Sequence, residues 1–289
     1  MPRRLVLLAL AVLSGCAALT RLNLPQGPCG FDAEALSFAG DAVTQARCLL
    51  RPVGPGGAPA REPAALPASL ASLIGQPVGD LRPRLRRWLD ERRVPDAAIG
   101  GSLDAPLSHA RDDDPAAPAA RYFVLHDTSY PYLGEARAFP PDDNAALNEL
   151  RGYVRAEPVA HVFVNRRGET ALGHDFRVPW RATQLENRRV GVASRGLFLH
   201  VELVQPRRRD PSGPARNDRI APTPGFTEAQ YAELALLYAA ASARRGDWLV
   251  PAFHAAIDEG IAGAHDDPQG FEIEKFARAI ESLRETLAR

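Results

Sequence analysis

Three side chains scattered along this chain have the chemistry of a zinc site. His126 follows the apolar run Tyr122-Phe123-Val124-Leu125 and precedes Asp127-Thr128. His254 closes Val250-Pro251-Ala252-Phe253, and Asp267 lies in His265-Asp266-Asp267-Pro268. Imidazole nitrogen and carboxylate oxygen both suit zinc, and three protein ligands leave a fourth position for a reactive water. If the three converge, the chain has the equipment of a hydrolase. His254 and Asp267 are thirteen positions apart with Gly260 and Gly263 between them, a segment able to fold both onto one ion. Spacing alone does not bring His126 to them, since a lone histidine is more often structural or exposed than a ligand. Asp266 is a competing acidic candidate.

The elements that must position these groups begin near residue 121. Residues 122–125 read as a buried strand ending at His126, where a side chain can protrude into a crevice beside a sheet. Asp143-Asn144 can cap a helix over 145–155. Residues 159–164 alternate as a strand, and Asn165-Arg166-Arg167-Gly168 turns the chain into a second strand over 169–172. Residues 196–204 are a further strand. Thr227-Glu228-Ala229-Gln230 resembles a capping box, opening a helix that runs to Arg245 and stops before Gly246. Residues 248–251 are extended, 254–268 form a loop, and Ile273, Phe276, Ile280, Leu283 and Leu287 mark a C-terminal amphipathic helix. Upstream, residues 54–67 are rich in Pro, Ala and Gly and read as a linker or loose loop. A helix over 78–94 carries Leu81, Leu85, Trp88 and Leu89 on one face. Its arginines (Arg82, Arg84, Arg86, Arg87) read as a solvated face. Residues 112–120 read as another loop.

The chain has 289 residues, 45% of them hydrophobic, ample for a core. Its formal net charge is zero, which gives no electrostatic case for a nucleic-acid partner. Lys275 is the single lysine among 35 basic residues, a compositional bias rather than a functional mark. Met1-Pro2-Arg3-Arg4 followed by the short apolar run to Leu13 has the form of a signal peptide, too short to span a bilayer. Leu13-Ser14-Gly15-Cys16 resembles the bacterial lipobox. That resemblance implies cleavage before Cys16 and a lipid anchor on it, which needs no membrane-spanning helix. Ala17 after the cysteine implies the periplasmic face of the outer membrane. An ordinary secretory signal with an incidental cysteine is the alternative. The remaining pair, Cys29 and Cys48, suggests one disulfide in an exported chain, worth roughly 3 kcal/mol; two free buried thiols are the alternative. The expected division is a signal peptide over 1–15, an N-terminal module and linker over 16–115, and the main domain over 116–289.

Four segments of that main domain, in order, resemble the zinc-dependent N-acetylmuramoyl-L-alanine amidases of the amidase-2 type, the family that includes the peptidoglycan recognition proteins. They are Phe123-Val124-Leu125-His126-Asp127-Thr128; Ala160-His161-Val162-Phe163-Val164-Asn165 with its turn to Thr170; Leu199-His200-Val201-Glu202-Leu203-Val204; and His254 through Asp267-Pro268-Gln269-Gly270-Phe271. The resemblance covers roughly half the chain. It implies an α/β fold, with a central mixed sheet flanked by helices and a small N-terminal module before it. It also implies zinc held by His126, His254 and Asp267, with Glu202 orienting or deprotonating the water or supporting the site from behind. The substrate would be the amide between N-acetylmuramic acid and L-alanine, in peptidoglycan or muropeptides.

The chain departs from the family pattern at three places. His265 stands where many relatives carry a lysine that stabilises the oxyanion. An imidazole loses its charge near neutrality, so activity is expected to fall earlier on the alkaline side. Trp180-Arg181 replaces Trp-His, and Arg181 could grip a substrate carboxylate or carbonyl or simply be an exposed arginine. His200 occupies a position usually small, which would reshape the pocket floor. A non-catalytic peptidoglycan-binding lipoprotein on the same fold is therefore the rival reading. His161 reads as packed, His109 as exposed, and His174-Asp175 as a poor ligand pair, because neighbours on a strand face opposite ways. No Gly-x-Ser-x-Gly segment or phosphate loop occurs.

Overall fold

The unbroken apolar runs of the sequence become strands covered on both faces, and the polar ends of those strands become one edge of a cleft. The computed structural model describes residues 29–111, 114–136, 138–155, 157–215 and 217–289. The signal peptide and Cys16 lie outside them. In chain order the elements are β1 (Phe31–Asp32), β2 (Ser37–Phe38), α1 (Ala42–Leu49), α2 (Ala68–Ala71), α3 (Leu81–Arg92) and β3 (Tyr122–Asp127). They continue with α4 (Ala145–Asn148), α5 (Arg151–Val154), β4 (Val162–Val164), β5 (Thr170–Leu172) and β6 (Phe198–Leu203). The last are α6 (Glu228–Arg245), β7 (Val250–Phe253), α7 (His254–Ile257) and α8 (Ile273–Ala288). A π-helical turn spans Leu185–Val190.

The central sheet is mixed, in the order β5-β4-β6-β3-β7, and helices flank it: the fold is α/β. β3 runs parallel to both β6 and β7, β4 parallel to β6, and β5 antiparallel to β4. Every residue of β3 and β6 is buried, as expected of strands covered on both faces. The register sets His126 directly beside Glu202, and Leu125 beside Phe253, the residue before His254. Three of the polar groups of interest therefore leave the sheet at the same level, at the carboxyl ends of parallel strands, where open α/β sheets form their crevices.

Residues 29–66 are packed onto this sheet within the same hydrophobic cluster. Cys29 and Cys48 form a disulfide with a Cα–Cα distance of 5.6 Å. The Tyr122 hydroxyl accepts the Phe38 N–H at 2.9 Å and donates to Gln45 at 3.0 Å, tying this region to the start of β3. The buried Arg51 guanidinium donates to the Cys48 and Ala60 carbonyls and pairs with Glu259. The stretch over 54–67 is thus a folded loop rather than a loose linker. A bridge joins Val53 to Pro59, and Ala64 is buried.

α6 starts on the full capping box of Thr227 and Gln230 and ends at Gly246, whose φ of 96° is the left-handed cap that glycine adopts without strain. Two local expectations fail. The helix over 145–155 is split into α4 and α5, because the Asn148 amide bonds the Asp142 and Asn144 carbonyls and Glu149 turns extended. The loop over 254–268 opens with a helical turn, α7, which places Asp258 one turn below His254.

Glu233 is an exception to the pairing of buried polar groups: its Oε1 is buried without a partner, and burial pushes its carboxyl up to about 7 from 4.5. The fold accepts the protonated form, whereas the unfolded chain ionises first as pH rises. Stability contributed at this position is therefore lost between pH 4.5 and about 7. Glu233→Gln should raise the thermal midpoint by several degrees at pH 8 and leave it nearly unchanged at pH 4, as read by circular dichroism. An equal effect at both pH values contradicts this account.

Candidate metal centre

His126, His254 and Asp267 meet in the structure, all buried, with one ligand atom from each within 4.8 Å of the others. His126 comes from the last turn of pleat of β3, His254 from the first residue after β7, and Asp267 from the far end of the following loop. Two backbone donors fix the Asp267 loop against the other two segments. The Asp127 N–H donates to Asp267 Oδ2 at 3.2 Å, and the Ala255 N–H donates to the Asp267 carbonyl at 2.9 Å. Asp127 locks the same corner. Its carboxylate pairs with the buried Arg207 at 2.5 Å and accepts the N–H of Gln269 at 3.0 Å and of Ser129 at 2.9 Å.

The donor atoms have the spacing a tetrahedral ion requires. His126 Nδ1 and His254 Nδ1 are 2.9 Å apart, and Asp267 Oδ2 is 3.3 Å from the second and 3.6 Å from the first. Zinc–ligand bonds of about 2.0–2.1 Å at tetrahedral angles separate ligands by about 3.3 Å. The far sides of both rings are already engaged. His126 Nε2 faces His200 Nδ1 at 3.0 Å, and His254 Nε2 lies 2.9 Å from Asp258 Oδ2, close but off the straight hydrogen-bond line. Only the Nδ1 atoms remain, and they point at each other and at a carboxylate. With Asp267 they form a compact donor set able to hold a cation, and two imidazoles with one carboxylate are a zinc set. The residues present fit the ion.

The electrostatics point the same way. Burial, with the neighbouring imidazoles of His254 and His200, holds His126 well below the usual histidine range. Burial would lower His254 too, but Asp267 and Asp258 outweigh it and hold His254 well above that range. Burial first, then Asp267 and Asp127, push the Glu202 carboxyl well above the usual carboxylate range. Positive charge is thus favoured at His254, beside the two aspartates, and disfavoured at His126. Glu202 Oε1 is 3.9 Å from His126 Nδ1, and its Oε2 is buried with no partner.

Above the trio lies an open cleft of about 480 Å³, whose lining includes Thr128, Val159, Trp180, Arg181, Glu202 and His265. His265 sits at its mouth, its side chain 57% exposed, stacked on the His254 ring at 4.5 Å with Nδ1 3.8 Å from Asp267. Trp180 is held by stacking on His174 at 4.1 Å and by donating its indole N–H to the Val159 carbonyl. The Arg181 side chain lines the cleft and makes no hydrogen bond or ion pair among the described residues. Asp266 also borders the cleft, but its carboxylate accepts from the Gln269 amide and stays out of the trio.

His200 does not reshape the cleft floor. It is fully buried behind His126, with Nε2 3.2 Å from Glu186. His161 is buried against His200, and Asp175 pairs with Arg244. Asp258 and Glu186 went unread in the sequence. Asp258 carried a signal, the i,i+4 spacing from His254, visible once residues 254–257 are recognised as helical. Glu186 carried none, since it stands in the polar run Glu186-Asn187-Arg188-Arg189 that reads as a surface.

No family model matches this chain, and no curated protein matches it. Among solved structures, a crystal structure of a Se-Met AmpD derivative is similar. It is 19% identical, covers 63% of this chain and 97% of that one, and has a TM-score of 0.34. A likeness this weak carries nothing about activity, and the reading of the site rests on its own side chains.

The loop preceding Asp267 is supported by the N-terminal region at Gly57. With φ at +83°, a Cβ there would fall 1.7 Å from Asp266 Cβ and 2.6 Å from Asp266 Cα. Gly57→Ala should therefore cost about 2–4 kcal/mol, through the left-handed backbone and the displacement of the Asp266 backbone. It should also weaken metal uptake. An unchanged denaturation midpoint would show that the loop yields without penalty.

Proposed function

We propose that this chain is a zinc-dependent N-acetylmuramoyl-L-alanine amidase, acting on peptidoglycan or muropeptides. The observation that carries the reading is the convergence of His126, His254 and Asp267 beneath an open cleft, with Glu202 beside them. The amidase-2 resemblance of the segments that contribute these four residues supports the substrate. The lipobox resemblance around Cys16 supports a lipid-anchored protein on the periplasmic face of the outer membrane, a location that would suit an enzyme acting on the wall.

Bound zinc supplies a Lewis acid for the scissile carbonyl and a water of lowered pKa. The chain's own residues do the rest. Glu202, beside His126 and lining the cleft, is the carboxylate placed to take a proton from the attacking water and return it to the leaving amine. Its Oε1, 3.9 Å from His126 Nδ1, is the oxygen on the side of the trio. His265, at the mouth and more than half exposed, offers a ring N–H to the developing oxyanion or the leaving amine. Arg181 presents its guanidinium fork to a substrate carboxylate or carbonyl, and the fixed Trp180 ring gives the substrate a flat apolar wall.

Purified full-length protein should contain one zinc per chain by elemental analysis and release free stem peptide from muropeptides by mass spectrometry. Asp267→Ala should lose both. Glu202→Gln should keep the zinc and lose roughly 10²–10⁴-fold in rate. Stoichiometric zinc with no product at high enzyme concentration would replace this reading with the non-catalytic peptidoglycan binder.

A further inference from the structure

Two lines of contact lead outward from the paired imidazoles, and both end on one stretch of backbone. The Ala182 and Thr183 N–H groups donate to Glu186 Oε2 at 3.1 and 3.0 Å. The next two, of Gln184 and Leu185, donate to the Asp258 carboxylate at 3.0 and 2.9 Å. Four consecutive amides are thus divided between two buried carboxylates. Glu186 stands behind His200 and so behind His126, and Asp258 stands behind His254.

We propose that the 182–186 turn fixes the tautomers of both histidines, so that His126 and His254 each present an unprotonated Nδ1 to the metal, with Glu186, His200 and Asp258 as positioning residues. The inference rests on the zinc reading given above and adds how this chain prepares its ligands.

The proton positions follow from donors whose direction is fixed. Glu186 Oε2 also receives the Thr183 hydroxyl at 2.9 Å, and that hydroxyl is itself the acceptor for the Glu186 N–H at 3.2 Å. An oxygen facing three donors acts only as an acceptor. His200 Nε2 lies 3.2 Å from it, off the straight hydrogen-bond line. At that range a ring N–H is attracted and a lone pair repelled, so His200 carries its proton on Nε2. Its Nδ1 is then a lone pair, and it receives the His126 Nε2–H at 3.0 Å. A neutral imidazole has one proton, which leaves His126 Nδ1 bare.

His200 is fully buried and packed between His126 and His161. Its backbone N–H donates to His161 Nδ1 at 3.0 Å, the two rings stack at 5.6 Å and 18°, and His161 Nε2 is spent on the Val178 carbonyl at 3.0 Å. On the other branch, Asp258 accepts two amides and faces His254 Nε2 at 2.9 Å, so that nitrogen bears a proton, and His254 Nδ1, turned to Asp267 and His126, is the nitrogen left for an ion. The two Nδ1 atoms stand 2.9 Å apart, near enough for one cation to bridge both. Partners of this kind behind metal-bound histidines are worth about 10–100-fold in metal affinity.

The tautomers can be read directly on zinc-loaded full chain labelled with ¹⁵N at histidine, using long-range proton–nitrogen correlation spectra. The expected result is Nε2–H on both His126 and His254, with metal-shifted Nδ1. Zinc on Nε2 of either ring, or an Nδ1–H on either, overturns the proposal without any substitution that could disturb folding. A second measurement is zinc affinity by competition with a chromogenic chelator. Glu186→Gln and His200→Leu should each bind zinc about 10–100-fold more weakly. His200→Gln, whose amide oxygen can still accept from His126, should recover part of that loss. Wild-type affinity in folded Glu186→Gln and His200→Leu overturns the proposal. A wild-type chain that takes up no zinc fails the metal reading itself and this inference with it. A wild-type chain that binds zinc through the other ring nitrogens fails this inference alone.

Discussion

The structure depends on one buried encounter: two ring nitrogens and a carboxylate oxygen gathered within 4.8 Å of one another. Without an ion, Asp267 and Asp258 hold His254 in its charged form, and a proton keeps the group together. Each member is also anchored from behind, His126 through His200, His254 through Asp258, and Asp267 through the Asp127 amide. The fold thus assembles the donor set before any ion arrives, and a bound cation would take that proton's place.

The sheet makes this anchoring possible. Parallel pairing of β3 with β6 and β7 brings the carboxyl ends of three strands to one level, and the chain leaves that level by turns instead of continuing. Paired strands hold His126 and Glu202, while the loop corner around Asp267 is fastened by Asp127, Arg207 and Gln269. Side-chain and backbone bonds at that corner do for a loop residue what the ladder does for a strand residue.

Much of this was legible in the sequence, for identifiable reasons. The apolar runs before His126 and around Glu202 and the capping box of α6 announce their elements through composition and local hydrogen bonding, and the elements are there. The helix over 145–155 was not, because the Asn148 side chain competes for carbonyls in a way that periodicity does not register. Within the site, residue types suggested a ligand set, but the groups behind the ligands stayed hidden. Glu186 acts through contacts with His200 and its own turn, and no repeat or motif marks a carboxylate that works only in three dimensions. The misreading of His200 has the same origin: a strand position gives a face, not what lies across it.

The folded N-terminal segment has a further consequence for engineering. A fragment begun at residue 116 would keep every group facing the cleft and yet lose Arg51 from beside Glu259, Gly57 from beneath Asp266, and the partners of the Tyr122 hydroxyl. It would also strip α1 from its packing on β7, exposing the margin of the sheet to pairing with other chains. The half that carries the cleft is therefore not a portable cassette, and transplants or fusions of this scaffold should carry the disulfide-bonded N-terminal segment with them.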